Sequence, residues 1–391
     1  MYKMYKKNSN KVTPIDNSAK FNNYTNINIA DRLKYVIHME ILIGINRIYL
    51  LNCSKAKYWL TQLIVPCLLA LIIYLMIGDT FRRLTFAVLR NTFCFEVISL
   101  MFSGSYFQRS KLRDYFRKLS EFDQQLNINT NKISPRPVLC FIWTVGAFII
   151  VACEYVFILR YFDSHLALII VYLGILAHEW EILFYCNLLE SVLVRIRILK
   201  QQVEKMFCGK ENIRINMNRK KIKINDKAVN ISVLHNSYEL LQEISDDLNS
   251  SMSFPMIVMF ISSGIVTIVL LNFVFKSLQL NANTMFTSMV FSYSIFRFIK
   301  MTLLLISPCY ISNNTYSEVR AIRMILYDAL NCKKDKLVRR KIKGFYQQTR
   351  DNDFAYVLWG LIRLDMSLPL SYSGLCATYL VIVLQFSKFF D

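Results

Sequence analysis

Ionisable side chains set inside long apolar runs are the residues of this sequence with the means to do chemistry. His178 and Glu179 open the stretch HEWEI, but its fifth position is Ile182, so the second histidine of a zinc-protease helix is absent. No GxSxG, phosphate loop or metal-ligand cluster accompanies the four histidines, His38, His165, His178 and His235. An enzyme is therefore not expected, nor is a bound metal or other cofactor. Arg90 and Glu154 remain, each in a stretch of roughly 20 apolar residues, long enough to cross a bilayer. A charge at that depth costs about 2.5–3.5 kcal/mol on insertion scales, so each must face protein or a water-filled cavity. Two roles are open to them: recognition of a small molecule, or tying helices together through an Arg90–Glu154 or Arg90–Glu96 pair.

The elements that must position these groups can be found from hydropathy. Of 391 residues, 54% are apolar and 19% charged, a poor balance for a water-soluble surface. Residues 58–78, 248–275 and 366–387 carry no charge, 137–159 carries only Glu154, and 277–296 is uncharged and continues past Arg297 and Lys300. Residues 84–103, with Arg90 and Glu96, and 164–189, with His178, Glu179 and Glu181, complete a set of seven spans. A further stretch, 36–51, contains His38, Glu40 and Arg47 and reads as a helix packed on or under the membrane. The first twenty residues are polar, without the apolar core of a signal peptide, so the first span is expected to direct insertion.

Charge then sets the orientation. Lys and Arg number ten before the first span, seven in 104–136, eleven in 190–254 and eleven in 307–367. The alternate segments hold only Arg82, Arg83, Arg160, Lys276 and Lys388, which under the positive-inside rule predicts a cytoplasmic amino terminus and an external carboxyl terminus. The formal charge of +20 is thereby explained by topology, and a nucleic-acid partner is not expected. The cluster Arg219, Lys220, Lys221 and Lys223 reads either as a solvated loop or as a contact for anionic membrane lipid. All ten cysteines fall in spans or cytoplasmic segments, where disulfides are not expected.

The expected organisation is a cytoplasmic segment with a membrane-associated helix (1–57), six spans (58–306) with cytoplasmic loops at 104–136 and 190–254, anchor helices (307–365) and a last span (366–391). Amphipathic stripes such as Val319, Ile322, Ile325 and Leu326 extend helices below the membrane, where they could pack together or pair between subunits. The fold class is an all-α, seven-helix membrane protein.

The last span reads Thr378-Tyr379-Leu380-Val381-Ile382-Val383-Leu384-Gln385-Phe386, and this TYhhhhhQF ending resembles that of insect gustatory receptors. The cytoplasmic stretch LHNSYELLQEISDDLNSSMSFPMI (234–257), the length and the inverted topology also resemble that family, which is related to insect odorant receptors. The resemblance implies a homotetrameric, ligand-gated, non-selective cation channel in the plasma membrane of chemosensory neurons. It would be opened by a small-molecule tastant, conduct monovalent and divalent cations through a pore lined by the last spans, and could act with a co-receptor. Thr378, Val381 and Gln385 share one helical face and are the expected pore residues, with Val381 or Phe386 as the closing hydrophobe. The alternative for Gln385 is a hydrogen bond to a neighbouring helix. Leu380 stands where the sugar clade carries Glu, leaving bitter-type and fructose-type receptors, and the greater number of bitter-type members, especially in moths and butterflies, favours the former.

The family's ligand pocket lies in the outer halves of the second to sixth spans. The resemblance therefore assigns ligand binding to Arg90 and Phe93, Glu154 and Phe157, Tyr172 and Leu176, Asn272, and Ser292, Tyr293 and Phe296, a mostly apolar wall with a few polar groups. A seven-span receptor signalling through a cytoplasmic partner is the alternative, and a transporter ranks third.

Overall fold

The computed structural model describes residues 33–51, 55–78, 84–128, 146, 149, 165–208, 231–279, 284–332, 336–352 and 354–387. The expected third span and the basic loop after residue 208 lie outside the described residues. Among those described, the chain is helical apart from one two-stranded hairpin.

Helix α1 (Lys34–Ile43) ends where Gly44 adopts a left-handed φ of 97° and donates its N–H to Ile41, a conformation in which a side chain is strained. The chain then turns into a short 3₁₀ segment (Ile48–Leu50). Helices α2 (Lys55–Gly78) and α3 (Leu84–Phe102) are two expected spans, and α3 passes through a π-turn (Ser103–Phe107) into amphipathic α4 (Arg109–Gln125). Such a turn takes one extra residue and re-aims the helix beyond it.

Three long helices form the body: α5 (His165–Cys208), α6 (Ile231–Gln279) and α7 (Thr284–Cys332). At 1.5 Å per residue the 49-residue α6 is about 70 Å long, more than twice the bilayer core, so the apolar span and the polar stretch before it form one rod. By length and composition, Ile231–Asn272 and Ile295–Cys332 can each cross a bilayer. Helix α6 runs on to Gln279, so Ser277–Gln279 closes the fifth span instead of opening the sixth.

Helix α8 (Lys336–Asp351) buries Ile342, Phe345 and Thr349; it packs on α7, where Arg323 donates to the Thr349 carbonyl at 3.1 Å, and on α6, where Phe345 lies against His235 and Tyr238. It is followed by strands β1 (Val357–Leu358) and β2 (Ile362–Arg363), antiparallel with Val357 opposite Arg363, and by α9 (Ser367–Ser387). The hairpin corrects the expectation of anchor helices throughout 307–365. Trp359 and Gly360 both take positive φ, 49° and 70°, which closes the chain on itself in a way the helical period does not signal.

The core is one continuous apolar cluster running from α1 through α3, α4, α5, α6 and α7 to the hairpin. Trp180, Tyr115, Tyr185 and Tyr238 are among its fully buried side chains. Where the helices are polar it is framed by ion pairs. Arg195 on α5 grips Asp123 on α4 with two bonds of 2.9 and 2.6 Å, Lys118 on α4 reaches Glu243 and Asp247 on α6, and Glu318 on α7 accepts from Arg197 and Lys200 on α5.

Candidate functional site

Phe93 on α3, Tyr172 and Ile175 on α5 and Val266 on α6 form a small buried cluster separate from the main core, with half-buried Leu176 packed against it. The helices meet closely because residue 174 is glycine: a Cβ there would stand 2.7 Å from the Cβ of Phe93. Thus Phe93, Tyr172 and Leu176 of the expected ligand site come together. Arg90, one turn before Phe93, is buried and reaches the Asn91 side chain at 3.4 Å. Asn272 is half-buried on α6, while Ser292 and Phe296 on α7 are exposed. Glu154 and Phe157 lie outside the described residues, as does the side chain of Tyr293.

Beneath this cluster runs a set of buried charges. The bonds of Glu96 on α3 run to α5 and α6: its carboxylate accepts from Nδ1 of His178 at 2.5 Å and from the hydroxyl of Ser262 at 2.6 Å. The other imidazole nitrogen, Nε2, lies 3.2 Å from the hydroxyl of Ser263. With Nδ1–H given to the carboxylate, Nε2 of a neutral ring accepts from Ser263. Next along α5, Glu179 binds Lys300 on α7 at 2.6 Å, with Arg297 at 3.6 Å. One turn from His178, Glu181 binds Arg47 at 2.6 Å.

Arg47 is fully buried and held from several sides. It donates to Glu40 on α1 at 2.6 Å and to Gln108 beyond the π-turn at 2.9 and 2.6 Å, and it lies over the Phe184 ring at 4.2 Å. Two carboxylates thus share one guanidinium, and both Oε2 atoms, of Glu40 and Glu181, are buried without a hydrogen-bond partner among the described residues. Burial pushes the Glu40 carboxyl up to about 8, against the attraction of Arg47 and with the repulsion of Glu181. The cluster is therefore electrically balanced when Glu40 holds a proton.

The last helix rests on this framework by one side only. Pro369 and Cys376 are buried and Tyr372 is half-buried where α9 meets α6 and α7, whereas Thr378, Val381 and Gln385 are exposed. Thr378 turns its hydroxyl back to the Gly374 carbonyl at 2.9 Å. Phe386 belongs to the same helix, but its side chain lies outside the described residues. Asp365 caps the helix, accepting from the Ser367 amide at 2.9 Å and its hydroxyl at 2.5 Å, and this bonding holds its carboxyl below the usual range. Between α9 and the buried charges lies a cavity lined by His178, Ser263, Met301 and Tyr372 among others. Its interior space, about 10 Å³, is that of a single water and far below that of a small-molecule ligand.

The sequence alone does not assign a role to Gln108, Glu181, Ser262 or Tyr372, nor does it join Glu40 to Arg47. The ionisable residues at membrane depth are the available signal, because such groups are expensive unless partnered. Which helix supplies each partner depends on packing that the linear sequence does not carry.

A family model described as 7tm Chemosensory receptor matches residues 58–390. The fold is similar to that of the insect olfactory receptor OR5 from Machilis hrabei, with a TM-score of 0.61 at 14% identity, covering 92% of this chain and 99% of that one. The same receptor in complex with eugenol gives a TM-score of 0.57, again at 14% identity and with 92% and 99% covered. No curated protein matches this chain.

Proposed function

This chain belongs to the 7tm chemosensory receptor family, and we propose that it is a gustatory receptor acting as a ligand-gated, non-selective cation channel. It is an all-α, seven-transmembrane, multi-pass membrane protein, and it is a receptor and not an enzyme. In the proposed assembly four copies surround an axis lined by α9, with the amino terminus cytoplasmic and the carboxyl terminus external. The tastant is a bitter plant compound bound among the outer halves of the helices near Phe93, Tyr172 and Leu176. The olfactory receptor of similar fold takes the small aromatic eugenol, which supports a small organic ligand here.

One observation carries the reading: α9 buries Pro369 and Cys376 against its own subunit and leaves Thr378, Val381 and Gln385 uncovered along the opposite side. A helix so placed can present a mixed apolar and neutral polar face to a symmetry axis, where apolar rings close by dewetting and polar rings pass hydrated cations. Ligand binding shifts gating by favouring the dilated arrangement of these helices. The test is cysteine substitution at Val381 and Gln385 followed by an externally applied charged thiol reagent. Block of the ligand-evoked current is expected at both positions, faster with ligand present. Unaltered currents at both, with labelling confirmed, would remove α9 from the conduction path.

A further inference from the structure

Exposed aromatic residues gather at one end of the membrane helices. Trp59 stands near the start of α2, Phe102 at the end of α3, Phe107 at the end of the π-turn and Tyr310 on α7 four residues past 306, the expected end of the sixth span, all more than half exposed. Cations accompany them: the Arg109 guanidinium lies 5.6 Å from the Tyr58 ring and 5.9 Å from that of Tyr49, with Arg113 5.6 Å from Tyr49. This is the end at which the basic segments lie. Rings that are apolar in body and polar at the edge collect where hydrocarbon meets headgroups, and Lys and Arg reach from there to anionic phosphates.

The hairpin belongs to the same level although it is not part of a span. Trp359 packs on Phe254 of α6 at 6.1 Å, and Phe254 lies within the uncharged run 248–275. The tip is otherwise bare, with Trp359 59% and Leu361 82% exposed, and Arg363 beside it lies over the Tyr316 ring at 5.6 Å. A large apolar pair held out at a tight turn, one member with positive φ, is costly in water and is relieved by an apolar neighbour.

We propose that the Val357–Arg363 hairpin is a membrane-interface anchor, with Trp359 and Leu361 in the headgroup–acyl boundary of the leaflet facing the basic segments and Arg363 among its anionic headgroups. The inference rests on the membrane placement of the helices and not on channel activity, so either can fail alone. Because β2 leads through the Asp365 cap directly into α9, the composition of that leaflet bears on the starting point of the last helix.

The test uses the full chain in lipid nanodiscs containing phosphatidylcholine and phosphatidylserine brominated at a shallow or a deep acyl position. The protein has four tryptophans, and subtracting the emission of Trp359→Phe isolates the signal of Trp359. The anchor predicts loss of that emission with shallow bromine, less loss with deep bromine, and little with aqueous iodide. Quenching by iodide alone would put the tip in water, and resistance to all three would place it against another copy of the chain; either overturns the proposal. Should Trp359→Phe not assemble, Leu361→Asp keeps Trp359 in place. Bromine quenching of total emission then drops if the tip is an anchor, and unchanged quenching counts against it.

Discussion

The Nδ1–H of His178 on α5 is bonded to Oε1 of Glu96 on α3 at 2.5 Å, with both side chains nearly or wholly buried at membrane depth. Ser262 satisfies the other carboxylate oxygen and Ser263 the other imidazole nitrogen, so three helices are joined at one polar point. Removing one partner of such a group leaves the other buried and unsatisfied, which costs far more than the net worth of the pair. Replacing His178 with Ala is expected to destabilise the protein by about 3–5 kcal/mol. Glu96→Gln, which keeps the shape and can still bond, is expected to cost less. Thermal unfolding of detergent-solubilised protein measures both, and equal effects would refute the ordering.

Arg47 is the second joint. It fixes α1 to α5 and to the helix after the π-turn, and its loss would strand Glu40 and Glu181 without their cation. Arg47→Met is expected to be at least as damaging as His178→Ala, seen as a lower midpoint in the same melt. Adding Glu40→Gln and Glu181→Gln to it should restore part of the loss, since the stranded charges are then gone. No recovery in the triple variant would mean that the guanidinium acts by packing on Phe184 and not by charge.

The raised Glu40 gives this joint a pH dependence of definite sign. Its folded carboxyl titrates near 8, above the ordinary value of 4.5, so the folded state holds a proton that the unfolded state releases. The contribution is complete below pH 4.5 and is lost as pH rises through 8, at up to about 1.4 kcal/mol per pH unit. Melting from pH 6 to 9 is expected to show a declining midpoint that Glu40→Gln flattens. A parallel decline in both proteins would assign the effect to other groups.

Gly174 sets the spacing of the apolar cluster proposed to bind ligand. Gly174→Ala drives a methyl against the Phe93 ring and is expected to cost about 1–3 kcal/mol, with Phe93→Leu in the same chain recovering much of it. Ligand responses of the double variant, read as a concentration series, should shift if the cluster lines the tastant site. An unshifted curve at equal surface expression would move the site elsewhere.

Much of this fold can be read in the sequence. Long uncharged runs mark the helices, and basic segments alternate with them, because a bilayer leaves few other solutions. Hydropathy is a property of single segments, so it could not say that Glu96 meets His178 or that Glu181 meets Arg47, pairs separated by 82 and 134 residues. It likewise missed the hairpin, whose four strand residues are apolar except Arg363 and look like more helix. Phe93, Tyr172 and Leu176 stand out by depth and chemistry and do meet, whereas Ser292 and Phe296 at similar depth face outward, since depth does not fix the face of a helix.

The central claim is that this chain alone is a channel opened by a small molecule. Its most direct test is whole-cell recording from cells expressing only this chain, with G-protein signalling blocked, surface expression confirmed, and bitter plant compounds and sugars applied separately. A rapid, non-selective cation current to bitter compounds is the predicted result. A current to fructose instead would keep the channel and overturn the ligand class, and silence to every compound despite surface expression would contradict a self-sufficient channel.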